Sequence, residues 1–284
     1  MKSYDIIGKP LMGLTLALAS FGATPGAMAA PVVPADVQKM VAEADTAYAK
    51  GDYEKTISLY TGIIEQTGPS ASLLYNLGNA YQKSGNEGEA RLCMERAKRY
   101  DPSNKDIDQN IDYIAMRVGD ANQAELKGKK GDVMPDDPGF FDRANRSISV
   151  DTSSNAWAEM AATAFVLLIL ALALYFFSSN VRFKKIGFFS AIIFLFFSVV
   201  FVAFSEMAAS HFRSKDEAVL MQFKLTLSSE PLADAPEVGF PLHRGTKFRI
   251  LDSELGADGK VEWYKVELNH SNIGWVPAGA IEII

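Results

Sequence analysis

Few residues in this chain could do covalent chemistry, and their spacing argues against it. The 284 residues hold one cysteine, Cys93, and three histidines, His211, His243 and His270. A thiol nucleophile needs a base within hydrogen-bond reach. The segment that carries the histidines has no thiol for them to activate, and Cys93 sits inside an apolar helical pattern as a small core residue. No phosphate loop, dinucleotide fingerprint or zinc-ligand spacing appears. The chain therefore reads as non-enzymatic, with no cofactor and no metal. A lone cysteine allows no intramolecular disulfide. A net charge of −6 without a long basic tract gives little reason to expect a nucleic-acid partner.

What remains is the chemistry of recognition. Asn76 and Asn79 lie three apart on one helical face, where two amides can grip an extended backbone or simply stay solvated. Asp45 and Tyr48 fall on the matching helix upstream, so these four are expected on one exposed face. Lys83 and Lys50 are the near cations for a bound carboxylate. Trp263 and Tyr264 alternate on a strand pattern, so one faces a core and the other faces out. Either both are packing residues or the outward one lines a ligand groove. Arg182, Lys184 and Lys185 form a basic cluster whose role is topological.

The elements that position these residues begin with a repeat. From Val37 to Asn104 the chain repeats at a spacing of 34: Ala44 returns as Gly78, Gly51 as Gly85, Asp52 as Asn86, Tyr60 as Met94 and Ile63 as Ala97. Gly78, Ala90 and Ala97 are small where two helices must approach. Gly85 suits a left-handed turn, and Pro102 ends a helix. This order resembles the tetratricopeptide repeat. Asn76 and Asn79 resemble the asparagines with which some members hold a peptide or its C-terminal carboxylate. Ile107, Ile111, Ile114 and Val118 continue at helical spacing as a capping helix, so the repeat domain spans residues 37–118. Residues 119–155 lose the periodicity and read as a linker, with Phe140, Phe141 and Trp157 suited to a membrane interface.

Two uncharged stretches follow, Met160 to Val181 and Ile186 to Ser205, of 22 and 20 residues. As helices they run roughly 33 and 30 Å, about a bilayer's hydrocarbon thickness. They make residues 157–205 a transmembrane hairpin. The cations between them keep its tip in the cytoplasm, because positive charge near a short loop resists export. Residues 1–29 have the order of a signal peptide: Lys2 and Lys9, an apolar run from Leu11 to Phe21, and Ala27-Met28-Ala29 at the cleavage position. Cleaved or retained, the segment delivers the following residues outside. The expected localisation is a bacterial inner membrane, crossed twice, with both soluble domains in the periplasm.

After a polar stalk the pattern alternates. Five short strands are expected within residues 216–284. Leu242-His243-Arg244-Gly245-Thr246, Trp263 to Leu268, Gly274-Trp275-Val276-Pro277 and Ala280-Ile281 are similar to the bacterial SH3-like barrel. The fold class is thus a multidomain membrane protein: an all-α tetratricopeptide helical repeat, a transmembrane helical hairpin and an all-β SH3-like barrel.

The order of these modules, with the helix from Asn104 to Arg117 after the repeats, resembles the BatE-type proteins of the aerotolerance (Bat) operons. That resemblance implies a scaffold for a complex associated with oxygen or oxidative-stress tolerance. Its implied partners are membrane proteins with von Willebrand A domains, other Bat-type proteins and, indirectly, a MoxR-type AAA+ ATPase. The alternative is a cell-wall-sensing receptor whose SH3-like domain binds peptidoglycan.

Overall fold

The computed structural model describes residues 34–126 and 139–284. The signal-like residues 1–29 and the charged stretch from Lys127 to Pro138 lie outside them. The chain divides into two compact units.

The first unit begins with five helices: α1 (Ala35–Ala49), α2 (Tyr53–Thr67), α3 (Ala71–Lys83), α4 (Glu87–Tyr100) and α5 (Lys105–Glu125). The 34-residue spacing is visible in their turns and cores. Gly51 and Gly85 end α1 and α3 with φ of 78° and 83°, a region a Cβ disfavours. Asp52 caps α2, its carboxylate accepting from the Lys55 amide. Its counterpart Asn86 instead donates to Ser84 Oγ. The matched residues Tyr60 and Met94, and Ile63 and Ala97, are all fully buried. A Cβ on Gly78 would lie 3.0 Å from Met94 Cε and 3.2 Å from Cys93 Cβ, so only glycine allows α3 this close to α4. Thr56 is buried where the second copy has Ala90, and its hydroxyl is satisfied by donating to the Asp52 carbonyl. Ile107, Ile111, Ile114 and Val118 of α5 close the core against Leu74, Ala90 and Met94.

The rest of this unit is a seven-stranded antiparallel sheet: β1 (Glu217–Leu220), β2 (Lys224–Ser228), β3 (Glu237–His243), β4 (Lys247–Leu255), β5 (Val261–Asn269), β6 (Asn272–Pro277) and β7 (Ile281–Ile283). Their order is β3-β2-β6-β5-β4-β1-β7. Five strands were expected. The strand without a sequence signal is β3, where Gly239 and Pro241 read as breakers, yet its Phe240 and Leu242 are buried. The three-residue β7 is too short to show alternation. Ala218, Leu220, Leu227, Phe248, Val266 and Val276 form the core of the sheet.

Repeat and sheet share this one unit. The helix expected to fade at residue 119 runs on to Glu125, and Leu126 beyond it joins the sheet's core. Leu92 of α4 packs with Val219 and Ile284.

The second unit holds α6 (Phe140–Ser149), α7 (Ser154–Phe177) and α8 (Val181–Arg213). Part of the expected linker is therefore the helix α6. Both α7 and α8 are long and apolar enough to cross a membrane. The turn between them is only Ser178–Asn180, so Arg182, Lys184 and Lys185 lie in the opening turns of α8 rather than in a loop. All three are exposed. A Cβ on Gly187 would sit 2.7 Å from the Ala171 carbonyl oxygen, so the two helices meet backbone to backbone there. The Trp157 indole donates to the Ile148 carbonyl at 3.0 Å and stacks on Phe201 at 5.8 Å, which ties α6 to the hairpin. Phe140 and Phe141 stay exposed.

Candidate functional site: the face shared by the first helices of the repeats

Helices α1, α3 and α5 contribute to one polar face, built on a buried chain of hydrogen bonds. The Tyr60 hydroxyl, carried in from α2, donates to Asp45 Oδ1 at 2.5 Å. Asn76 Nδ2 donates to that hydroxyl at 3.2 Å. Asn76 is only 3 % exposed, which corrects the expectation that it stands in solvent beside Asn79. The reason is its neighbour: Tyr60 fills the space between α1 and α3 and needs a polar partner for its buried oxygen. Burial, followed by the Asp45 carboxylate, drives the Tyr60 hydroxyl far above the usual phenol range, so it remains a donor. Asn76 Oδ1 is buried and receives no hydrogen bond.

Beside this network lies a row of tyrosines. The rings of Tyr48 and Tyr53 meet edge to face at 5.5 Å. Burial raises the Tyr48 hydroxyl, helped by the nearby hydroxyls of Tyr53 and Tyr75. Tyr75 in turn accepts from Asn110 Nδ2 of α5 at 3.3 Å. The row Tyr48, Tyr75, Asn110 thus crosses all three helices. Asp45, Tyr48 and Asn79 are half-buried and Lys83 is exposed, a turn past Asn79.

Tyr53, Tyr75 and Asn110 carry no signal as isolated residues. Asn110, however, stands one further 34-residue step after Asn76, so the period extended into the capping helix points to it.

The opposite side of the repeat is covered by the sheet, through buried charge. Glu95 accepts from Arg91 at 2.7 Å and from Lys247 of β4 at 3.1 Å. Lys247 also pairs with Glu217 at 2.8 Å. Burial pushes the Glu95 carboxyl up, but Lys247 and Arg91 together outweigh it and hold the group at about 2. Asn122 of α5 accepts from the His243 amide and donates to Thr246 Oγ1. Glu125 accepts from Lys224 at 2.8 Å and contacts His243 Nε2 at 3.0 Å. Those two hydrogen bonds, against weaker desolvation, hold the Glu125 carboxyl below its ordinary value. These residues make a structural joint.

On the sheet, Tyr264 packs against the core and Trp263 stands half-buried outside it, which resolves the alternation of that pair. Cys93 is buried, and desolvation pushes its thiol up to about 12, far from a reactive thiolate. Among the described residues, no three His, Cys, Asp or Glu side chains group as a metal site.

The tetratricopeptide repeat family matches residues 71–104, the hairpin of α3 and α4 with the turn that follows. No curated protein and no solved structure matches the chain.

Proposed function

We propose that this chain is a membrane-anchored, non-enzymatic scaffold that holds a segment of a partner protein on the face of α1, α3 and α5. The observation that carries the reading is the tetratricopeptide repeat at residues 71–104, whose first helix contributes to a polar face shared with α1 and α5. A row of tyrosines and amides offers hydrogen bonds and flat apolar surface, the two things an extended peptide needs.

The anchor is the hairpin of α7 and α8, crossing a bacterial inner membrane twice with its tip in the cytoplasm. Two features support this. Arg182, Lys184 and Lys185 open α8, where the positive end of the helix dipole disfavours cations, so their retention calls for another role such as setting orientation. The segments before and after the hairpin also pack into a single unit, which requires an even number of crossings between them. Repeat and sheet then both lie in the periplasm.

The sheet is read as an SH3-like domain, with Gly274 allowing β6 to approach Leu227 and Ser228 of β2 closely. Together with the module order, this favours an assembly of the aerotolerance type. Its partners would be von Willebrand A membrane proteins and other Bat-type proteins, with a MoxR-type AAA+ ATPase indirectly engaged.

Cross-linking in native membranes followed by mass spectrometry tests the reading. Recovery of a membrane protein partner supports it. Retention on purified peptidoglycan sacculi, abolished by Trp263→Ala, with no protein partner captured, would replace the scaffold with a wall-sensing receptor.

A further inference from the structure

The first helices of the repeat are richer in carboxylates than in cations. The four cations of α4 are engaged inward or toward the sheet: Arg91 with Glu95, Arg96 with Glu282, Lys98 with Asp108 and Arg99 with Glu217. Helices α1, α3 and α5, which bear the polar face, hold eight Asp and Glu against four Lys and Arg. Of those four, Arg117 is paired with Glu87 at 2.6 Å. Lys83 lies eight residues beyond Tyr75, roughly 12 Å along the helix axis. Glu43, Asp108 and Glu125 are likewise paired, with Lys55, Lys98 and Lys224, and Lys50 is exposed two residues past Tyr48. What distinguishes this corner is the Asp45 carboxylate beside the rings of Tyr48, Tyr53 and Tyr75.

We propose that this corner is a receptor for a cationic side chain, a Lys or Arg on the extended partner segment, held against the rings of Tyr48, Tyr53 and Tyr75 with Asp45 as counter-charge. The inference rests on the scaffold reading above and names the partner's chemistry. A cation is drawn to the negative faces of aromatic rings, and more strongly where the site is partly desolvated. Tyr48 is half-buried, so its ring is partly desolvated. Asp45 takes one hydrogen bond from Tyr60, on Oδ1, and its second oxygen can face the ligand. The unpartnered carbonyl of Asn76 is a second, independent sign that the site is short of donors: an acceptor next to Tyr60 is left without an N–H. A bound carboxylate supplies acceptors only, whereas an ammonium or guanidinium supplies donors only. The site is therefore matched to a cation, and the C-terminal carboxylate implied by the asparagine pair is the wrong sign.

The test uses the full chain in detergent and three labelled peptides with amidated C-termini. One alternates apolar residues with Lys. The others replace every Lys by Gln or by Glu. A fourth arm gives the Gln peptide a free C-terminal carboxylate. The Lys peptide should bind at least tenfold more tightly than the Gln peptide, and the Glu peptide should not bind. Asp45→Asn keeps an acceptor for Tyr60, and Tyr48→Leu keeps an apolar side chain; each should remove most of the Lys preference while the thermal transition stays in place. Equal binding of Lys and Gln peptides, tightest binding by the free carboxylate, or a Lys preference unchanged in both variants would overturn the cation site and leave the scaffold intact. Failure of every peptide overturns it as well. The scaffold reading falls with it only if partner capture in native membranes is also unaffected by Tyr48→Leu.

Discussion

Glu95 and Lys247 are 152 residues apart in the chain and 3.1 Å apart in the structure. One lies on the last helix of the second repeat, the other on the sheet that follows the apolar hairpin. Their pairing makes two modules that are separable in sequence into one body.

Breaking that pair should weaken the whole unit. Glu95 titrates at about 2 in the folded protein against an ordinary 4.5. A depressed carboxyl stabilises the fold fully above the unfolded value and loses that contribution as pH falls from about 4.5 toward about 2. The shift corresponds to about 3 kcal/mol. Glu95→Gln should cost a similar amount at pH 7, because it leaves Arg91 and Lys247 without their shared anion. Denaturant unfolding of the full chain should show the gap between the two proteins narrowing steadily below pH 4.5. Equal stability at pH 7 would show that the joint contributes nothing.

Gly78→Leu places a side chain where even a Cβ touches Met94 and Cys93. Overpacking at a close helix contact typically costs about 1–3 kcal/mol. The thermal transition followed by circular dichroism should drop by several degrees. Gly279→Leu, at a position with nothing within 4 Å of the added Cβ, should leave the transition nearly unchanged.

For topology, a reporter active only outside the cytoplasm should work when fused after Asp132 and fail when inserted in the Ser178–Asn180 turn. Neutralising Arg182, Lys184 and Lys185 together should scramble this orientation. An active reporter in the turn would reverse the assignment of sides.

Much of this was legible in the residues because local rules dominate there. The 34-residue period predicts which side chains are buried, since the small and large residues it pairs, Ala44, Tyr60, Ile63, Met94 and Ala97, are all fully buried. Two apolar stretches of bilayer length need no tertiary context. The joint was not legible, because it depends on charged residues being buried. Arg91, Glu95 and Lys98 look like a solvated helix face, and only partners far along the chain make their burial tolerable. Asn76 was misplaced for the same reason: its environment is set by Tyr60, sixteen residues away, rather than by its position on α3. Strand β3 was hidden by Gly239 and Pro241, whose local preferences the sheet overrides.

The central claim, a partner segment held on the face of α1, α3 and α5, is tested most directly by placing a photo-cross-linking amino acid at Asn79 in native membranes, with a second at Trp263 on the sheet for comparison. Asn79 should capture a discrete protein partner, and Tyr48→Leu should suppress that capture while leaving the protein's abundance and membrane insertion unchanged. Capture from Trp263 alone, indifferent to Tyr48→Leu, would contradict the account and move the binding function to the sheet.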